Sequence, residues 1–194
     1  MHCCIIIITE QFPTDDILDQ KLRPFSDDTF YGQFPDDEEI PEDAVRPQFT
    51  WDWWMVGGRY GGLLKLKIDE ADEEYDWMYV AKEPRAGRLF RSDILEQINN
   101  KLPRYCLDEE RAFLYMGSRE GYIRVDGCKI KDVIDFEDTV VNHGWGFIGK
   151  NGEAYSRTYW TGKEYIKDEL YEEKVKAAIQ NIEDCYVCYV DIHT

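Results

Sequence analysis

The longest apolar run lies at the start of the chain, where Cys3 to Ile8 are hydrophobic without a break and four isoleucines follow one another. A short run that is β-branched throughout predicts a buried strand over Met1 to Glu10. At the far end, Tyr186 to Ile192 predicts a closing strand. It sets Val187, Tyr189 and Asp191 on one side and Tyr186, Cys188, Val190 and Ile192 on the other. Both strands are apolar enough to be central neighbours in one sheet.

Between them the period changes repeatedly. Thr14 is placed as an N-cap, Asp15 and Asp16 favour a first turn, and a helix carrying Ile17, Leu18, Lys21 and Leu22 stops before Pro24. Strands are predicted over Gly62 to Ile68, Trp77 to Val80 and Ala112 to Met116. Hairpins are predicted over Tyr122 to Ile130, turning at Asp126-Gly127, and over Gly144 to Tyr159, turning at Asn151-Gly152. Ser92 caps a helix containing Ile94, Leu95, Ile98 and Leu102, and Lys131 to Asp138 reads as helical. The clearest helix is Lys167 to Ile182, with Leu170, Val175, Ala178, Ile179 and Ile182 on one face. This order suits an α+β fold: an antiparallel or mixed sheet with about three helices packed on it and the terminal strands central, in one domain over residues 1–194.

Ser26 to Pro47 breaks the pattern. Asp27, Asp28, Asp36, Asp37, Glu38, Glu39, Glu42 and Asp43 occur with no base until Arg46, and Pro35, Pro41 and Pro47 interrupt. This predicts an acidic loop at about 26–47, pinned by Phe30, Tyr31 and Phe34. The whole chain carries 40 acidic and 23 basic side chains, a formal net charge of -17. Such a field repels nucleic acid and anionic membrane surfaces, so direct binding to either is not expected. It attracts basic partners, and the loop acids are the candidate partner-binding residues; solubility alone is the plainer reading of the charge. Lys82, Arg85, Arg88 and Arg91 form the one basic concentration, read as neutralising that surface. The six cysteines, with no secretory signal beside them, suggest reduced thiols in a cytosol. The first apolar run is too short to span a bilayer.

The strongest local signal is Trp51-Asp52-Trp53-Trp54-Met55-Val56-Gly57-Gly58-Arg59-Tyr60-Gly61-Gly62, three tryptophans and four glycines within twelve residues. Glycines permit positive φ or close approach, and Arg59 between glycine pairs presents a fork suited to a carboxylate or phosphate. Trp51, Trp53, Trp54, Gly57, Gly58, Arg59 and Tyr60, together with Trp145, are therefore candidate ligand-binding residues. The bland alternative is that the tryptophans fill the core and Arg59 pairs with Asp52. The spacing is neither a P-loop nor a dinucleotide fingerprint. Asp191 and His193 share a face of the last strand, so Asp52, Arg59, Asp191 and His193 are the candidate catalytic set if that face meets the turn. His143 reads as a surface or capping residue. Cys3, Cys4, Cys185 and Cys188 approach a zinc-like count, but strand alternation sends them to opposite faces, so buried thiols are expected and no metal or cofactor. No serine sits in a nucleophile elbow.

The strings Trp51-Asp52-Trp53-Trp54, Gly57-Gly58-Arg59-Tyr60 and Gly62-Leu63-Leu64-Lys65-Leu66-Lys67 resemble a group of bacteriophage and prophage proteins that have no assigned activity. The resemblance extends to Leu22-Arg23-Pro24-Phe25, to Gly144-Trp145-Gly146-Phe147, and to the closing Val190-Asp191-Ile192-His193. It implies a phage or mobile-element origin and a place in the host bacterial cytosol, and it brings no catalytic residues. The expected function is a non-catalytic protein that binds and inhibits a host component such as a defence system. It would act by acidic mimicry of nucleic acid or by holding a small nucleotide at the Trp/Gly/Arg turn. A small hydrolase or transferase acting on a nucleotide, and a virion accessory protein, are the alternatives.

Overall fold

The computed structural model describes residues 1–11, 13–34, 40–41, 44, 47–67, 79–80, 114–117, 122–161 and 163–194. Strand β1 (His2–Thr9) pairs antiparallel along its whole length with β13 (Tyr186–His193), from His2 opposite His193 to Thr9 opposite Tyr186. On its other edge β1 runs parallel to β9 (Gly146–Ile148), and β9 pairs antiparallel with β10 (Ala154–Ser156). The free edge of β13 is shared by β7 (Gly127–Lys129) and β2 (Trp53–Val56). The sheet is thus mixed, and the terminal strands are its centre, as the apolar runs predict.

Both faces of this sheet are covered, which explains why β1 is apolar from Cys3 to Ile8 rather than alternating. Ile5 and Ile7 pack with Leu18 and Leu22 of α1 (Asp15–Leu22), with Phe49 and with Val190 and Ile192. Ile6 and Ile8 face the other way, onto α3 (Phe136–His143) and α4 (Tyr171–Ala178) through Val140, Val141, Tyr171 and Val175. All four isoleucines have no exposed surface, and each contributes about 1.5–3 kcal/mol by leaving water. Cys3 and Cys188 lie in the first layer, and Cys4, Cys128 and Cys185 in the second. Strand alternation separates them as expected.

A second sheet has the order β4 (Tyr79–Val80), β5 (Leu114–Gly117), β6 (Tyr122–Val125), β3 (Leu64–Lys67) and β8 (Val133–Ile134). A separate ribbon joins β11 (Thr158–Trp160) to β12 (Tyr165–Lys167). Among the described residues no helix is long and apolar enough to cross a membrane.

Several expectations are corrected. Asp126-Gly127 is not a hairpin turn: β6 pairs with β3 and β5, whereas β7 pairs with β13. The chain leaves one sheet for the other at Asp126, whose carbonyl accepts the Tyr189 N–H at 2.8 Å. The acidic segment begins with a short helix, α2 (Asp27–Tyr31), because the Ser26 hydroxyl accepts the Thr29 N–H at 3.1 Å and the two aspartates suit a helix N-terminus. Lys131 to Asp138 is not one helix; Asp135 at φ 53° separates β8 from α3. The last helix begins at Tyr171, because Tyr165 to Lys167 pair with β11 instead. The helix from Ser92, the basic cluster Lys82 to Arg91, and the acids Asp36 to Glu39, Glu42 and Asp43 lie outside the described residues.

Candidate functional site

The glycine turn folds over two buried carboxylates. Asp191 and Asp126 are each 1% exposed. After β2, Gly57 donates its N–H to the Tyr189 carbonyl at 2.8 Å, and a short 3-10 turn, Gly58–Tyr60, follows. The Arg59 N–H then donates to Asp191 Oδ2 at 3.0 Å, and the Gly62 N–H to Asp126 Oδ1 at 2.6 Å. Gly57 has φ 67° and Gly58 φ 55°, where a side chain is strained. A Cβ on Gly57 would lie 2.5 Å from Asp126 Oδ2, and one on Gly58 2.5 Å from Asp191 Oδ2. The glycines therefore serve close approach, and what they approach is the protein's own carboxylates.

Asp191 also accepts from the other end of the chain. His2 Nδ1 lies 3.0 Å from Asp191 Oδ1. Next to it, His193 Nδ1 lies 2.9 Å from Asp52 Oδ1. The two imidazoles sit edge to face with centroids 5.1 Å apart, and the Trp53 ring is 6.1 Å from His2. The Tyr60 hydroxyl donates to the His2 carbonyl at 2.9 Å, and its burial raises the phenol pKa. The end of the central strand pair thus carries two imidazole–carboxylate pairs, one on a buried acid and one in the open.

Asp52, Arg59, Asp191 and His193 meet in two separate contacts, Asp52 with His193 and the Arg59 backbone with Asp191. Asp52 pairs with His193 rather than with Arg59. The Arg59 backbone, not its guanidinium, reaches Asp191; the side chain is exposed and makes no ion pair among the described residues. The tryptophans divide. Trp53 is 46% exposed on the His2 face. Trp54 packs on the opposite layer, and Trp51 joins it there while its Nε1 donates to the Leu22 carbonyl at 2.8 Å. Trp145 packs edge to face against Phe49, 6.2 Å away in the same layer. His143 ends α3 and is exposed.

Two participants escaped the sequence: His2 and Asp126. The register of β1 on β13 sets His2 opposite His193, so the terminal histidines were findable once those strands were paired. Asp126 carried a turn signal that concealed its burial.

Two openings are lined largely by acids. Asp19, Asp27, Asp28 and Asp52 line an opening of about 370 Å3 with Arg23, itself bonded to Asp19. Another, of about 500 Å3, lies between α3 and α4 against Asp135, Glu137, Asp138 and Glu172, with Lys176. No family model, curated protein or solved structure matches this chain.

Proposed function

We propose that this is a non-catalytic accessory protein of phage or mobile-element origin that binds and inhibits a basic host component, its acidic surface standing in for nucleic acid. The observation that carries the reading is how the glycine turn spends its donors. A nucleotide pocket needs free backbone N–H groups for its phosphates. Here the Arg59 and Gly62 N–H groups are donated to Asp191 and Asp126, and a phosphate would meet two carboxylates. The acids around one cleft, Asp19, Asp27, Asp28 and Asp52, of which Asp19 is held by Arg23 and Asp52 by His193, suit a cationic surface. They sit in a chain of net charge -17.

Capture from bacterial lysate at low salt tests this. Neutralising Asp27, Asp28, Asp36, Asp37, Glu38, Glu39, Glu42 and Asp43 to Asn and Gln should abolish capture. Binding by the parent protein should fall about tenfold or more between low and moderately high salt. Capture that ignores both salt and neutralisation would refute the reading. The paired imidazoles favour a second reading, a small hydrolase or transferase on a nucleotide. The two separate on His193→Ala, which leaves capture intact under the first and removes turnover under the second.

A further inference from the structure

The β11–β12 ribbon belongs to neither sheet, yet it carries two large rings that the core does not use. Trp160 and Tyr165 are register partners with centroids 5.0 Å apart, 38% and 63% exposed. With Tyr31, itself 46% exposed, they line a cleft of about 280 Å3. Exposed aromatics gathered at one opening mark a binding site, whereas scattered ones would need no explanation. The rest of the lining is polar but uncharged. Gln48, Thr50 and Thr158 contribute an amide and two hydroxyls. Thr158 lies two residues before Trp160 on β11, so both side chains share one face of the ribbon. Among the described residues the lining holds no acidic, basic or imidazole side chain. The Met1 amino group, also at the cleft, donates to the Thr194 main-chain oxygen. The buried Ser156 hydroxyl lies 3.1 Å from the Gln48 carbonyl and 2.7 Å from the Thr158 carbonyl. That shared contact ties the Gln48 segment to the foot of the ribbon and fixes the polar groups relative to the rings.

We propose that this cleft binds one uncharged pyranose sugar unit, with its C–H groups on Trp160 and Tyr165 and its hydroxyls on Gln48, Thr50 and Thr158. The site is separate from the acidic surface and adds a second binding function to the chain.

Charge, size and ring geometry select the ligand. A phosphate, carboxylate or ammonium group would lose water in the cleft and meet no side chain of opposite charge. A sugar has apolar C–H patches set among hydroxyls that both donate and accept. Aromatic rings interspersed with an amide and hydroxyls match that mixture. Sites for drug-sized ligands run from about 300 to 1,000 Å3, so this cleft suits one sugar ring and is small for a nucleotide. The uncharged rival is a nucleobase, which is flat. The planes of Trp160 and Tyr165 are inclined by 54°, so a flat base can stack on only one of them. A puckered chair can touch both. With no charged side chain in the described lining, binding should be indifferent to salt, unlike capture by the acidic surface.

The probes are the methyl glycosides of glucose, galactose and N-acetylglucosamine, with glycerol and adenosine as controls. Magnetisation saturated on the protein should pass to the ring C–H protons of at least one glycoside, and the Trp160 indole N–H resonance should shift with it. Affinity in the millimolar range is expected for a ligand of about a dozen heavy atoms. Trp160→Ala with Tyr165→Ala should weaken binding by about tenfold, the scale of two lost ring contacts. Trp160→Phe, which keeps a ring, should restore part of it. Gln48→Leu should weaken binding about fivefold, the scale of one hydrogen bond. The ribbon lies outside both sheets, so these variants should keep the parent's urea midpoint. A disaccharide that binds as well as its methyl glycoside assigns the site to the end of a glycan chain. One that is excluded assigns it to a free sugar. No transfer to any of the glycosides, the same shift with glycerol, or stronger binding by adenosine would overturn the proposal. So would undiminished binding by the double alanine variant.

Discussion

Gly58→Ala is expected to lower the unfolding free energy by about 3 kcal/mol or more, a large part of the stability of a chain this size. Two costs add. At φ 55° a side chain pays strain of about 1–2 kcal/mol. The new methyl would also lie 2.5 Å from both Cβ and Oδ2 of Asp191. That carboxylate cannot withdraw cheaply, because it is buried and accepts from His2 and from the Arg59 backbone. Displacing it strands a buried acid, a further cost of about 1–3 kcal/mol. Gly152 is the control: its φ is 88°, but nothing lies within 4 Å of an added Cβ, so Gly152→Ala should show strain alone. Urea unfolding of the two variants makes the comparison. Equal losses would mean that Gly58 is required for its backbone conformation only.

The second large effect is a loss of stability in alkali. Burial pushes the Cys4 thiol pKa far up, and the charge of Asp191 adds to it. Burial does the same to Cys128, aided by Asp132. In the unfolded chain both titrate near 8.5. A raised folded pKa means that the folded state holds its proton while the unfolded state loses it. The contribution is therefore complete below the unfolded pKa and disappears as pH rises. Each thiol removes about 1.4 kcal/mol per pH unit above that point, so the two together cost about 5 kcal/mol between pH 8.5 and 10.5. Cys3, Tyr171 and Tyr189 are raised by burial in the same sense. Urea midpoints under reducing conditions should fall steadily above pH 8.5, and Cys128→Ala should flatten the slope. A midpoint that holds through pH 10 would contradict this account of the core thiols.

The central pair of strands was legible because it is over-determined. β1 is apolar from Cys3 to Ile8, β13 from Tyr186 to Val190, and α1 is announced by Thr14, two aspartates and Pro24. The errors have one physical source, that local signals do not reveal partners. Asp126-Gly127 has the chemistry of a tight turn, and the chain uses it to pass between sheets. Tyr165 to Lys167 fits a helical stripe, but pairing with Thr158 to Trp160 prevails. α2 was hidden because its acids, which suit a helix start, also read as loop. The same holds for the site. The Trp/Gly segment stood out by composition, but its glycines answer to Asp126 and Asp191, the latter far away in sequence. The cleft lined by Tyr31, Phe49, Trp145, Trp160 and Tyr165 was not visible at all, since these residues come from separate stretches.

Hydrogen exchange at the Arg59 and Gly62 amides asks whether the turn is closed on its own carboxylates. Both protons should exchange far more slowly than in an open loop, and neither resonance should move when inorganic phosphate or a nucleotide is added. Fast exchange at both, with shifts on adding phosphate, would show donors free for a ligand and return the turn to the role of an anion pocket.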